Sequence, residues 1–189
     1  MGKNEKVKIL ELLIENRNKQ YTIREIALVR NINYKSAYEV VKKLEKEGNI
    51  RLEKIGQTCL TQFNNILTNS TYLAEKNRLE KVLKCKDLKL IFEELKKINT
   101  QAIILLFGSY AKATQTKQSD IDLLVITEDT NEIERSISWI PKDIHITKIS
   151  YKEFDQMLKS KEFSVVSEAM KNNIIFQGIE DYYRFLQNA

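Results

Sequence analysis

Apolar residues recur at helical spacing through the first quarter of the chain. This spacing predicts a helix around residues 7–14 and a second, shorter helix that Thr22 opens, with Glu25 completing a capping box. It also predicts a third helix over residues 34–47 that ends at Gly48. The apolar positions of the third helix form one stripe, and its opposite face is polar.

The hydrophobic period changes from helical to alternating after Gly48. Apolar and polar residues alternate from Ile50 to Phe63, and Gly56 and Gln57 interrupt the alternation at its centre. This pattern is typical of a two-stranded hairpin with a glycine turn. The predicted order of the first domain is therefore helix, helix, turn, helix and hairpin.

A helical connection is predicted between residues 70 and 99, which are rich in Lys, Glu and Leu. Two successive apolar stripes indicate two helices, and Asp87 is the expected N-cap of the second. We expect both stripes to be buried in the core. The alternative is that an exposed part of the first helix forms a dimer interface.

Strand-like patterns dominate the last part of the chain. Residues 102–107 are a continuous apolar run that ends at Gly108, and a second apolar run over residues 123–127 follows a polar loop. A third strand is predicted over residues 143–149 and a last one over residues 172–178, with helical segments between them. The pattern favours an α/β (α+β) fold.

The composition fits a soluble globular protein, because hydrophobic residues make up 42% of the 189 residues and charged residues 30%. No apolar run approaches the roughly 20 residues of a membrane-spanning helix, and the N-terminal residues lack the apolar segment of a secretion signal. Two cysteines and one histidine are too few for a four-ligand zinc site or a disulfide framework. We therefore expect reduced thiols in a cytoplasmic protein without membrane contact.

The net charge of +5 lies in the first third of the chain. Residues 1–70 carry 13 Lys or Arg and 8 Glu, whereas residues 71–189 carry 18 basic and 18 acidic residues. This asymmetry favours two units with different partners. The basic unit suits a polyanion such as nucleic acid.

Asp120 and Asp122 are the strongest candidates for chemistry. Because strand side chains alternate between faces, residues two apart point the same way, and two carboxylates on one face are an oxygen-rich site for Mg²⁺. Without a cation the two carboxylates repel each other. Gly108 lets the backbone approach a ligand closely, and the N–H groups of Gly108 and Ser109 suit a phosphate. Together these features are typical of metal-assisted nucleotidyl transfer.

This part of the chain resembles the nucleotidyltransferase superfamily that includes DNA polymerase beta, most closely its minimal nucleotidyltransferases. The matching residues are Phe107-Gly108-Ser109-Tyr110-Ala111-Lys112-Ala113 and Ser119-Asp120-Ile121-Asp122-Leu123. The resemblance implies a small mixed sheet flanked by helices. It also implies that Asp120 and Asp122 hold Mg²⁺ or Mn²⁺. An NTP, which we expect to be ATP, would be held by Gly108, Ser109 and Lys112.

The chain departs from the family pattern at two positions. Ala113 stands where the family usually has glycine, which we expect to stiffen the loop without abolishing phosphate binding. The family usually supplies a third carboxylate from a later strand, and His145 stands at the matching position, as the third catalytic candidate beside Asp120 and Asp122. Several interpretations stay open. Asp143, two residues earlier on the same strand face, replaces the carboxylate; His145 acts as a base, a nitrogen ligand or a structural residue; or the site is weakened.

The first domain resembles the winged helix-turn-helix domains of archaeal and bacterial transcription regulators, in particular over residues 36–50. In such folds the third helix enters the major groove of DNA and the wing contacts the backbone or minor groove. The resemblance implies that double-stranded DNA contacts Tyr34, Lys35, Ser36, Tyr38 and Lys42 of the helix and Lys54 and Gln57 of the wing. The alternative is a winged helix that serves only in dimerisation or protein docking.

Two function hypotheses follow for a chain divided into a winged helix-turn-helix (1–68), linking helices (69–98) and a nucleotidyltransferase domain (99–189). The first is an enzyme that transfers NMP from an NTP to an acceptor. The resemblance implies a protein acceptor, such as the HEPN-type toxin that a minimal nucleotidyltransferase antitoxin modifies, or another acceptor. The second is a DNA-binding regulator whose nucleotidyltransferase domain is degenerate or only senses nucleotide. We expect a homodimer, because winged-helix regulators usually read paired half-sites.

Overall fold

The computed structural model describes residues 2–56, 58–160 and 165–188, so Gln57 of the predicted turn lies outside the described residues. The chain forms two compact units that divide between Lys76 and Asn77. Within the described residues, no helix is long and apolar enough to cross a membrane.

The N-terminal unit contains three helices, a small antiparallel sheet and the first part of a further helix. Its elements are α1 (Gly2–Glu15), β1 (Tyr21–Thr22), α2 (Ile23–Arg30), α3 (Tyr34–Lys46), β2 (Ile50–Ile55), β3 (Thr58–Phe63) and the start of α4 (Asn69–Val82). The three predicted helices and the predicted hairpin are confirmed as elements. Sequence reasoning missed β1, which pairs with β3, because two residues are too few to show an alternating pattern.

Local capping fixes the ends of α2 and α3. The Thr22 hydroxyl accepts a hydrogen bond from the Glu25 N–H at 3.1 Å, and the Glu25 carboxylate accepts one from the Thr22 N–H at 2.7 Å. The predicted capping box is therefore confirmed. Asn33 caps α3 by accepting a hydrogen bond from the Ser36 N–H, and Gly48 follows the helix in a left-handed conformation with a φ of 76°.

Helix α3 buries one face and leaves the other in solvent. The buried side chains are the four apolar positions of its stripe, Ala37, Val40, Val41 and Leu44. Burying an aliphatic side chain contributes about 1.5–3 kcal/mol, so the stripe fixes which face of α3 is exposed. The hairpin that follows pairs Ile50 with Phe63 and Ile55 with Thr58.

The C-terminal unit is a mixed sheet flanked by helices. After the end of α4, its elements are α5 (Lys86–Leu95), β4 (Ile103–Phe107), α6 (Gly108–Ala111), β5 (Ile121–Ile126), α7 (Asn131–Ile137), β6 (Ile144–Ile149), α8 (Tyr151–Lys159), α9 (Val165–Lys171), β7 (Ile174–Gln177) and α10 (Ile179–Asn188). The predicted α/β class with a small mixed sheet is confirmed.

The predicted N-cap of α5 is wrong. The helix begins at Lys86, Cys85 is the N-cap without a side-chain hydrogen bond, and Asp87 lies in the first turn. A carboxylate in the first turn interacts favourably with the helix dipole. Asp87 therefore stabilises the start of α5 without capping it.

The sheet has the order β6-β5-β4-β7 and brings four chain segments together at one end. Strand β4 runs antiparallel to β5 and β7, whereas β5 and β6 are parallel. The C-terminal end of β4 therefore lies beside the N-terminal ends of the other three strands. Here Phe107 pairs with Asp122, Asp122 with His145, and Leu106 with Ile174. We call this end of the sheet the site edge.

Buried strands anchor the site edge. Every residue of β4 is buried, and so is every residue of β5 except Asp122. Apolar side chains of α5 and α7, among them Leu88, Ile91 and Ile133, belong to the same core cluster as the strands. The carboxylate of Asp122 is thus held by a strand that cannot shift without exposing its apolar neighbours.

Candidate functional site

Gly108 and Asp122 approach each other more closely than any residue but glycine allows. Gly108 follows β4 with a φ of 71°, a left-handed conformation that side chains rarely adopt. A Cβ atom placed on Gly108 would lie 2.2 Å from Oδ2 of Asp122. The backbone conformation and the available space therefore both favour glycine, and the Asp122 carboxylate lies directly against the backbone at the start of α6.

The surroundings of Asp122 disfavour its negative charge. Burial raises the pKa of the Asp122 carboxyl above its usual range, the neighbouring carboxylates of Asp120 and Glu168 raise it further, and His145 opposes the shift. The Asp122 side chain is only 29% exposed, whereas Asp120, just before β5, is exposed. Neighbouring carboxylates repel each other, and a bound cation would offset this repulsion.

His145 lies beside Asp122 on the parallel neighbour strand. The two residues are register partners, and His145 Nδ1 lies 3.6 Å from Asp122 Oδ1, within ion-pair distance but longer than a hydrogen bond. The structure thus places His145 beside Asp122, while its role as the third catalytic residue stays a prediction. Its side chain is 71% exposed, which leaves the ring open to a ligand.

Asp143 lies just before β6, as Asp120 lies just before the parallel strand β5. Its backbone carbonyl accepts a hydrogen bond from the Ile121 N–H at 2.9 Å, and its side chain is exposed. Among the described residues, no three His, Cys, Asp or Glu side chains come together as a group that could hold a metal ion. Asp120 and Asp122 stay the candidate ligands of a cation, and Mg²⁺ also takes water and phosphate oxygens as ligands.

Two predicted phosphate-binding residues lie at helix α6: Ser109 is in the helix, and Lys112 follows its end. Because the helix is a single turn of four residues, its backbone N–H groups would contribute more to phosphate binding than its dipole. The Lys112 ammonium is exposed and lies 3.1 Å from the Glu168 carboxylate of α9. Sequence reasoning missed Glu168, because a single Glu on a short helix 46 residues after Asp122 carries no local signal.

Ala113 adopts the backbone conformation for which the family pattern uses glycine. This residue has a φ of 55°, a left-handed conformation that is unfavourable by about 1–2 kcal/mol for residues with a Cβ. The usual glycine of the family pattern would adopt it without strain. The loop after α6 therefore keeps the conformation that suits glycine although its residue is Ala.

The predicted DNA-contacting residues lie on the exposed face of α3 and on the hairpin. Tyr34 and Tyr38 are exposed and stacked, with ring centroids 6.3 Å apart. Lys35 is exposed, Ser36 is partly buried, and the Lys42 ammonium lies 2.8 Å from Glu45. Lys54 is exposed on β2. A groove of about 320 Å³ between α3 and the hairpin is lined by both tyrosines, Thr22, Ile23, Arg24, Thr58 and Cys59.

The contact between Gly108 and Asp122 can be tested by a double-mutant cycle. We expect Gly108→Ala to lower the free energy of unfolding by about 2–4 kcal/mol, because it adds a steric clash to backbone strain. In an Asp122→Ala background the clash is absent, so the same substitution should lower the free energy of unfolding only by the backbone strain, about 1–2 kcal/mol. Urea titration measures both values.

Gly48→Ala is the matched control for this cycle. Gly48 has nearly the same φ, 76°, but nothing lies within 4 Å of a Cβ placed on it. Its substitution should cost only the strain, whatever residue stands at position 122. Equal effects of Gly108→Ala in both backgrounds would contradict the assigned contact.

Comparison with known proteins connects this geometry to a family. The family model of the nucleotidyltransferase domain matches residues 85–179, just over half of the 189 residues. The matched segment begins at the N-cap of α5, ends at the start of α10 and includes the whole site edge. No curated protein and no solved structure matches the chain. The chain belongs to the nucleotidyltransferase domain family.

Proposed function

We propose that the protein transfers a nucleoside monophosphate from an NTP to a protein or other acceptor in a Mg²⁺-dependent reaction. Nucleotidyltransferase domains generally use an NTP and a divalent metal, so family membership supports the reaction type. The observation that carries the proposal is the approach of Asp122 to Gly108. It holds an oxygen donor of the kind that Mg²⁺ prefers against the backbone N–H groups that suit a phosphate.

The residues of the site edge have separate roles in the proposed reaction. Asp120 and Asp122 would hold Mg²⁺ or Mn²⁺, and a bound metal neutralises triphosphate charge and favours attack by the acceptor oxygen. The N–H groups of Gly108 and Ser109 and the charge of Lys112 hold the triphosphate, with ATP as the expected nucleotide. The acceptor oxygen forms a bond to the α-phosphorus, the bond to the β-phosphate oxygen breaks, and pyrophosphate leaves.

His145 would act as the general base that accepts the proton of the acceptor hydroxyl. Its Nδ1 faces Asp122, which orients the imidazole, and the exposed ring leaves the second nitrogen accessible to an acceptor. The alternative is that Asp143, which precedes β6 and whose carbonyl accepts a hydrogen bond from the Ile121 N–H, supplies the third carboxylate in place of His145. The acceptor itself is proposed only by class: a partner protein such as a HEPN-type toxin, which would make the chain an antitoxin.

Calorimetric titration with each NTP and Mg²⁺ tests the nucleotide site. We expect the protein to bind an NTP, ATP first, only when Mg²⁺ is present. The Asp120→Ala/Asp122→Ala variant should lose at least about tenfold in affinity, equivalent to about 1.4 kcal/mol, because it has no metal donors. Asp155→Ala is the control, since Asp155 is a carboxylate of α8 that pairs with Lys159.

Two outcomes would contradict the assigned site. Binding that survives both substitutions would mean that Asp120 and Asp122 do not hold the metal. No binding of any NTP would favour the second function, a DNA-binding regulator whose nucleotidyltransferase domain is degenerate.

We also propose that the N-terminal unit is a winged helix-turn-helix that binds double-stranded DNA. Three features support this proposal: the element order, the excess of positive charge in residues 1–70, and the exposed face of α3 with Tyr34, Lys35 and Tyr38. Together with the proposed reaction, this would allow an antitoxin to repress its own operon, as a homodimer on paired half-sites.

Fluorescence anisotropy with a labelled DNA duplex at several salt concentrations tests DNA binding. We expect affinity to fall steeply with salt, because phosphate contacts release counterions. Lys35→Ala should reduce the slope of log K against log salt by about one, whereas Lys89→Ala on α5 should leave it unchanged. Salt-independent binding to a protein without binding to the duplex would favour the docking alternative.

A further inference from the structure

Glu168 is a charged residue at the site edge that the proposed reaction does not use. Its Oε1 lies 3.1 Å from Lys112 Nζ, and both side chains are partly in solvent. It is also near enough to Asp122 to contribute to the raised pKa of that carboxyl. Glu168 therefore faces the same space as the residues proposed to hold the nucleotide.

The topology explains why α9 meets α6. Lys112 follows the turn at the C-terminal end of β4, and α9 ends just before β7. Because Ile174 of β7 pairs with Leu106 of β4, both segments lie at the same end of the sheet. The pair thus connects the segment after β4 with the helix before β7, across a separation of 56 residues in the chain.

We propose that Glu168 competes with the nucleotide for Lys112: it pairs with the Lys112 ammonium in the free protein and releases it to the polyphosphate of the nucleotide. This inference rests on the proposed function. The Glu168 carboxylate forms an ion pair with the Lys112 ammonium, and a polyphosphate carries more negative charge than a single carboxylate, so it can replace Glu168 as the partner. The exchange is feasible because an exposed ion pair is weak.

A role for Glu168 as a metal ligand fits the geometry less well. Its carboxylate is engaged by Lys112, and within the described part of the chain it does not join Asp120 and Asp122 in a group that could hold a metal. Its negative charge also repels the polyphosphate that the site is proposed to bind. Glu168 therefore weakens nucleotide binding in two ways, by pairing with Lys112 and by its own negative charge.

Binding of inorganic tripolyphosphate without metal, and of ATP with Mg²⁺, tests this exchange by calorimetry on the full chain. We expect Glu168→Gln to bind both probes about 3- to 10-fold more tightly, because it frees Lys112 and removes repulsion. Lys112→Met should weaken binding. In the Lys112→Met background the effect of Glu168→Gln should become smaller, since only the repulsion remains to be removed.

Glu94→Gln is the matched control. Glu94 near the end of α5 also pairs with a lysine, Lys97, and it precedes β4 in the chain, whereas Gly108 follows β4. Its substitution removes the same charge and should change neither affinity. A gain in affinity for Glu168→Gln alone cannot come from misfolding, which would weaken binding.

The outcomes separate this inference from the proposed function. Unchanged or weaker tripolyphosphate binding by Glu168→Gln, with normal ATP binding by the unmodified chain, would overturn the inference alone. Weaker binding of Mg²⁺ and ATP together with unchanged tripolyphosphate binding would make Glu168 a metal ligand and also overturn it. If the unmodified chain binds neither probe, the proposed function fails and the inference fails with it.

Discussion

The site depends on the contact between the Asp122 carboxylate and the backbone at Gly108. This contact requires a residue without a Cβ, in a left-handed conformation, at the point where β4 ends. It also requires that Asp122 stay in register with Phe107 on one side and His145 on the other. The half-buried Asp122 specifies this register, because a one-residue slip of β5 would turn its carboxylate to the face that Ile121, Leu123 and Val125 bury in the core.

The same contact places a charge where the fold disfavours it. Burial and two neighbouring carboxylates oppose the ionisation of Asp122, and His145 compensates only in part. Cation-binding sites often contain such carboxylates, because the bound cation supplies the positive charge that the protein itself does not provide. In the proposed reaction, metal and nucleotide together complete the electrostatics of the site edge, and the exchange at Lys112 would follow from the same balance.

Local patterns predicted much of this structure. The residues from Phe107 to Asp122 form a contiguous motif between two apolar runs, so their proximity could be inferred from the sequence. The position of His145 followed from the same family pattern. Glu168 could not be predicted, because its partner Lys112 is distant in the chain and only the sheet order brings α9 to the site edge. Asp87 showed the opposite error: an acidic residue at a helix start resembled a cap, although the helix begins one residue before it.

The most direct test of the account is the stability of Asp122→Asn with and without ligand. Because the folded state raises the pKa of Asp122, its ionisation destabilises the fold, and this effect grows as pH rises through the raised pKa. At pH 7 without metal, we therefore predict that Asp122→Asn has a higher melting temperature than the unmodified chain. With saturating Mg²⁺ and ATP the order should reverse, because only the carboxylate gains a cation. An Asp122→Asn variant that is less stable without ligand, or that gains as much from Mg²⁺ and ATP as the unmodified chain, would contradict the account.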